Sequence, residues 1–248
     1  MIQEQDIQKA FDKYAHELNE PFQLKGIFFD MDGVLYNSMP LHAKSWIQTF
    51  AEFGLTLPEI EPYMNEGSTA FFTVQRMFKK YLNQEASNEI CEQIKNRKHQ
   101  VMSEMPKPDV LQPMPKLLKF ISSQNIDCWV VTGSAQKALT HRLVEEFQHS
   151  LQLNKILTAH DVKHGKPHPE PYLNAMNKSG YRKHSSIVVE NAPLGVQSAK
   201  AAGLFTIAVN TGPLTSTILS EAGADIVLSG CEELNALWPT FYKIFNRN

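Results

Sequence analysis

Two carboxylates close an apolar run in Phe28-Phe29-Asp30-Met31-Asp32-Gly33-Val34-Leu35. In extended backbone, residues two apart point to the same side, so Asp30 and Asp32 can converge at a strand end while Met31 turns away. Uncompensated carboxylates this close repel each other, and such a pair calls for a divalent cation or a shared proton. Gly33 permits a sharp exit or a close ligand approach. By itself an Asp-x-Asp pair can also be a helix-end cap or a solvated turn.

Three later segments add chemistry. Trp129-Val130-Val131-Thr132-Gly133-Ser134 sets hydroxyls and a flexible backbone beyond an apolar strand and before a helix. There they can donate to a phosphate, or Ser134 can simply cap the helix. Lys166, in His164-Gly165-Lys166-Pro167-His168, is a cation able to offset charge on a phosphate and a nearby carboxylate. His164 and His168 are four apart, but the glycine and proline between them exclude the one-face helical spacing of a metal pair, so they read as surface-loop histidines. Val188-Val189-Glu190-Asn191 ends a further strand in acidic chemistry.

In this order the segments resemble the haloacid-dehalogenase-like phosphohydrolase superfamily, within it the small-helical-cap branch containing β-phosphoglucomutase-like phosphatases. The resemblance runs from residue 24 to about 235. It implies that Asp30 is the nucleophile, forming an aspartyl-phosphate, and that Asp32 is the general acid and base that protonates the leaving oxygen and then activates water. It makes Thr132 a phosphate ligand, with Gly133 and Ser134 beside it, and Lys166 the cation that orients Asp30. Family members carry Glu-Asp or Asp-Asp where this chain has Glu190-Asn191. Asn191 can still offer a carbonyl oxygen, and Glu190 either binds the ion or holds a coordinated water. The implied cofactor is therefore Mg²⁺, held by Asp30, Asp32, Glu190 and Asn191.

These groups need a scaffold, and hydropathy patterning supplies one. Apolar runs at Leu24 to Asp30, Ile126 to Val131, Ser186 to Val189 and Phe205 to Val209 read as buried parallel strands, with shorter ones at Lys155 to Thr158 and Asp225 to Leu228. Helices of crossover length fit Pro113 to Ser123, Gln136 to Glu146, Pro169 to Lys178 and Gly195 to Ala202. The expected fold is α/β: a Rossmann-like, mostly parallel sheet with helices on both faces. An amphipathic helix over residues 3 to 18 either packs on the main body or meets a partner.

The interval between the first two strands is too long and too helical for a loop. Amphipathic patterns around Trp46, Met77 and Ile94 mark an inserted all-helical cap over residues 37–104, leaving 1–36 and 105–248 as the catalytic core. Ligands gather beyond the carboxyl ends of such a sheet, where the insertion enters and leaves and can close over them.

Cap residues must then select the substrate. His42 lies where mutase relatives couple binding to acid/base positioning, or it is a solvated first-turn histidine. Glu66 either approaches Mg²⁺ on closure, as in an inorganic-pyrophosphate-hydrolysing subgroup, or caps the helix starting near Ser68. Lys98 is the candidate cap cation for a second phosphate. Sugar-phosphate mutases of the branch it resembles commonly place an arginine shortly after this glycine. Here none follows Gly67 until Arg76, so the resemblance weakens a mutase and implies a Mg²⁺-dependent phosphohydrolase for pyrophosphate or a compact phosphomonoester. A net charge of −2 without basic blocks argues against nucleic-acid binding. The odd, scattered Cys91, Cys128 and Cys231 and the lack of a long apolar span point to a cytoplasmic enzyme with no membrane partner, expected as a monomer.

Overall fold

Runs of β-branched and aromatic residues that are buried on both faces form the centre of the molecule. In the computed structural model, which describes residues 2–134, 137–148 and 150–247, six strands form one sheet: β1 (Gly26–Phe29), β2 (Asp127–Val131), β3 (Ile156–Leu157), β4 (Ser186–Glu190), β5 (Phe205–Val209) and β6 (Ile226–Leu228). The order is β3-β2-β1-β4-β5-β6, and every pairing is parallel. Strands β1, β4 and β5 are buried at every position, which requires helices on both faces. The chain order reverses across β1, so a crevice opens at its carboxyl end. Asp30 is the first residue past that end.

The helices are α1 (Glu4–His16), α2 (Met39–Glu52), α3 (Glu61–Met64), α4 (Ala70–Leu82), α5 (Asn88–Ser103), α6 (Met114–Ser123), α7 (Lys137–Glu146), α8 (Glu170–Ser179), α9 (Pro193–Ala201), α10 (Ser216–Glu221) and α11 (Cys231–Phe245). Helices α2, α4 and α5 pack around their own apolar core, which includes Phe50, Val74, Met77 and Ile94. The expected start of α7, Gln136, lies outside the described residues. Helix α1 packs on the body: Phe11 meets Phe245 at 4.9 Å and Phe205 at 5.8 Å between ring centroids, and the Tyr14 hydroxyl donates to Lys183 O at 2.6 Å.

Sequence patterning did not resolve α11, which runs through Pro239 and buries Trp238, Phe241 and Phe245. An internal proline removes one backbone donor and normally signals a stop. Here the apolar stripe on both sides of Pro239 lies in the main core, and that burial holds the helix together. The three cysteines are buried and unpaired. Among the described residues, no helix is long and apolar enough to cross a membrane.

Candidate active site

The crevice at the end of β1 is organised around one ammonium group. Lys166 Nζ lies 2.5 Å from Asp30 Oδ1 and 2.6 Å from Glu190 Oε1, and it donates to Val131 O at 3.1 Å. All three charged side chains are buried. Burial pushes the Asp30 carboxyl above the usual carboxylate range; Lys166 opposes this, while Glu190 and Asp32 reinforce it. Burial would lower the Lys166 pKa, but Asp30 and Glu190 outweigh it, so the lysine stays charged.

Glu190, expected to bind the ion or hold a coordinated water, has both carboxylate oxygens engaged by protein donors. Its Oε1 accepts from Lys166 and, at 2.7 Å, from the Tyr172 hydroxyl. Its Oε2 accepts from the Asn191 and Ala192 backbone N–H groups at 3.0 and 3.4 Å. Four hydrogen bonds occupy this carboxylate, one of them from Lys166. Gly195 sits inside α9. A Cβ there would fall 1.9 Å from Glu190 Oε1, so the missing side chain makes room for the carboxylate.

Asp32 belongs to a polar chain that crosses from core to cap. Ser38 Oγ donates to Asp32 Oδ1 at 2.6 Å, and His42 Nε2 lies 3.3 Å from the same oxygen. On the other side of the ring, Lys98 Nζ donates to His42 Nδ1 at 3.0 Å. An ammonium cannot accept, so the neutral ring carries its proton on Nε2, toward Asp32. Burial and then Lys98 hold His42 below the usual imidazole value. Burial works to raise Asp32, but His42, Ser38 and Lys98 together lower it.

Lys98 therefore departs from the expectation of a cap cation reaching a second phosphate. It is buried, lies 5.4 Å from the Trp46 ring centroid, and is committed to His42. Burial brings its pKa down to about 8.

Glu66 enters the site from the cap. Its two carboxylate oxygens accept from Asn191 Nδ2 at 3.2 and 3.1 Å. The N-cap of α4 is Thr69, whose hydroxyl accepts from Phe72 N–H, so Glu66 has no capping role. Burial raises the Glu66 pKa well above its ordinary value, reinforced by Asp30, Asp32 and Glu190. Asp30 Oδ2 and Asn191 Oδ1 are buried oxygens with no hydrogen-bond partner among the described residues. Orphaned oxygens among crowded carboxylates fit a hard, oxygen-seeking divalent cation.

The phosphate-handling segment lies at the end of β2. Thr132 is buried and its Oγ1 accepts from Ser134 N–H at 3.0 Å. Gly67, at φ +79°, seats the cap on this segment: a Cβ at Gly133 would lie 3.0 Å from Gly67 O, and a Cβ at Gly67 would lie 2.8 Å from Lys166 Cδ. Asp30, Asp32, His42, Glu66, Lys98, Gly133 and Ser134 together line a cleft of about 370 Å³ between core and cap. Ser38 and Tyr172 were not singled out from sequence. Tyr172 lies on α8 and reaches Glu190 through the fold, with no local sequence signal.

A six-stranded parallel sheet with an aspartate–lysine pair at the carboxyl end of its first strand is a Rossmann-like hydrolase core. The chain belongs to the haloacid dehalogenase-like hydrolase family, whose profile matches residues 27–209. A solved structure from Bacteroides vulgatus, provisionally named a beta-phosphoglucomutase, is 38% identical, covering 99% of this chain and 100% of its own, with a TM-score of 0.94. Glycerol-1-phosphate phosphohydrolase 2 of Saccharomyces cerevisiae is 28% identical over 87% of this chain and 86% of its own. Hexitol phosphatase A of Escherichia coli is 28% identical over 85% of this chain and 93% of its own.

Proposed function

We propose that the chain hydrolyses the monophosphate of a small polyol or sugar through an aspartyl-phosphate on Asp30, with Mg²⁺ as cofactor. The observation that carries this reading is the Lys166 ammonium bridging Asp30 and Glu190 at the end of β1. Lys166 fixes the nucleophile and offsets phosphate charge in a water-poor site. Thr132 and Ser134, with the backbone at Gly133, hold the phosphoryl oxygens. Asp30 attacks phosphorus as the bond to the leaving alkoxide breaks. His42, Ser38 and Lys98 otherwise hold Asp32 ionised, so it takes up a proton from solvent as substrate binds and gives that proton to the leaving oxygen. Asp32 then takes a proton from the water that attacks the acyl phosphate, returning Asp30.

Asp30, Asp32, Asn191 and Glu66 are the proposed oxygen ligands, while Glu190 stays with Lys166. Bound Mg²⁺ would screen the phosphate charge from the carboxylates. The cap's Glu66 and the His42–Lys98 pair reach the site only when the cap is seated, so closure completes it and excludes water.

The polyol and sugar class is supported by the yeast and Escherichia coli phosphatases above. A pyrophosphate reading needs a cation for the second phosphate, and Lys98 is spent on His42. The likeness to the Bacteroides vulgatus protein favours one second reading, a sugar-phosphate mutase. A phosphate-release screen over polyol phosphates, sugar phosphates and pyrophosphate, with and without Mg²⁺, tests the assignment. Mg²⁺-dependent release from a phosphorylated polyol or sugar, abolished in Asp30→Asn, is expected. Conversion of glucose 1-phosphate to glucose 6-phosphate without net release would replace it with the mutase.

A further inference from the structure

We propose that His164, His168 and Glu170 form a second metal site, separate from the carboxylate cleft and suited to a divalent transition ion of the zinc type. As expected, Gly165 and Pro167 keep the pair off any helix and both histidines are exposed loop residues, but the loop doubles back on itself. His168 N–H donates to Gly165 O at 3.1 Å, and the two imidazole rings lie 4.7 Å apart with 36° between their planes. Glu170 opens α8 and completes the cluster: one ligand atom from each residue lies within 4.8 Å of the others.

The distances approach those around a single ion. His164 Nδ1 is 2.9 Å and His168 Nδ1 is 3.9 Å from Glu170 Oε2. Ligands at about 2.0–2.2 Å from a tetrahedral ion stand roughly 3.3–3.5 Å from one another. Closing the cluster therefore requires side-chain rotation on exposed rings. The Glu170 carboxylate is already oriented, accepting from the backbone N–H groups of Lys163 at 2.7 Å and His164 at 3.0 Å. Such outer bonds orient ligating carboxylates. The Glu170 N–H to His168 Nδ1 bond, at 3.2 Å, would be exchanged for the ion if that nitrogen ligates.

Donor chemistry separates the two sites. Two imidazoles and one carboxylate favour Zn²⁺, Cu²⁺ or Ni²⁺, whereas the oxygen ligands of the cleft favour Mg²⁺. The loop also gives the second site a consequence. His164 and His168 flank Lys166, so an ion joining residues 164, 168 and 170 would restrain the segment that carries this lysine.

The test uses the full chain without a histidine tag, saturated with Mg²⁺ and titrated with Zn²⁺ by calorimetry and thermal unfolding. One equivalent binding in the micromolar range and raising Tm is expected. His164→Ala and His168→Ala should each weaken binding at least about tenfold and remove the Tm gain. Both side chains are about half exposed, at 55% and 51%, so the variants should fold and keep their Mg²⁺-dependent turnover. Binding that survives both substitutions, or appears only at millimolar Zn²⁺, would overturn the site. So would Zn²⁺ binding lost in Glu66→Gln and competed by Mg²⁺, which places the ion in the carboxylate cleft.

Discussion

Lys98 donates to His42 Nδ1 at 3.0 Å, tying a buried cap cation to the ring that faces Asp32. The folded pKa of Lys98, about 8, lies below that of a free lysine, so the unfolded chain binds more protons between about 8 and 10. Stability should rise with pH across that window, because below it the buried ammonium weakens the fold. Lys98→Met removes a penalty on the order of 3 kcal/mol but leaves His42 Nδ1 without a donor, costing about 1–2 kcal/mol. The variant should therefore unfold a few degrees higher at neutral pH and lose turnover. It should also lose the wild type's gain in Tm between neutral and alkaline pH. In the wild type, kcat/KM should fall as pH rises through about 8, when the donor to His42 is deprotonated.

Gly195→Ala isolates the second support of the site. Alanine inside a helix ordinarily adds about 0.5–1 kcal/mol over glycine. Here its Cβ would meet Glu190 Oε1 at 1.9 Å, which reverses the sign. The carboxylate must move, and Lys166 with it. Displacement near 1 Å at a reacting group lowers kcat by about 10²-fold. Steady-state kinetics beside circular dichroism should show turnover lost and the fold kept. Unchanged kcat would mean that Glu190 does not position the lysine.

The α/β sheet was legible because its central strands are apolar runs longer than any amphipathic alternation. The cap helices showed three- and four-residue spacing around Trp46, Met77 and Ile94. Helix α11 was hidden by Pro239, whose local signal opposes a helix that tertiary burial sustains. Within the site, residues just beyond strand ends could be located from the chain, since a strand fixes where its last side chain points. Asp30 and Thr132 fall in this class, whereas Lys166, in the loop nine residues beyond β3, was read from its Gly-Lys-Pro setting. The meeting of Glu66 with Asn191 spans 125 positions and depends on how the cap is seated. Lys98 meets His42 within the inserted helices but 56 positions away, so its charge was visible and its partner was not.

Gly67→Ala tests that seating. At φ +79° an L side chain is strained by about 1–2 kcal/mol, and its Cβ would press on Lys166 Cδ at 2.8 Å. The contact with Lys166 acts only on the docked cap. Turnover should fall about tenfold or more while Tm changes by only a few degrees. Small-angle scattering should report a larger radius for the variant than for the wild type. A variant with wild-type kcat and radius would mean that the Gly67 contact does not govern closure.

Metal dependence is testable without activity. Asp30, Asp32, Glu66 and Glu190 crowd one crevice in which, among the described residues, Lys166 is the lysine in direct contact with a carboxylate, so their charges repel. Mg²⁺ at about 100 times its Kd should stabilise the fold by about 2.7 kcal/mol. Glu66→Gln removes one carboxylate while keeping an acceptor near Asn191. It should raise Tm in chelator and reduce the Mg²⁺-induced gain, because the lost charge both repelled its neighbours and attracted the ion. Asn191→Asp should do the opposite, lowering Tm in chelator and enlarging the gain. If Glu66→Gln leaves the Mg²⁺ response intact, Glu66 is not part of the ion's shell and the ligand set contracts to Asp30, Asp32 and Asn191.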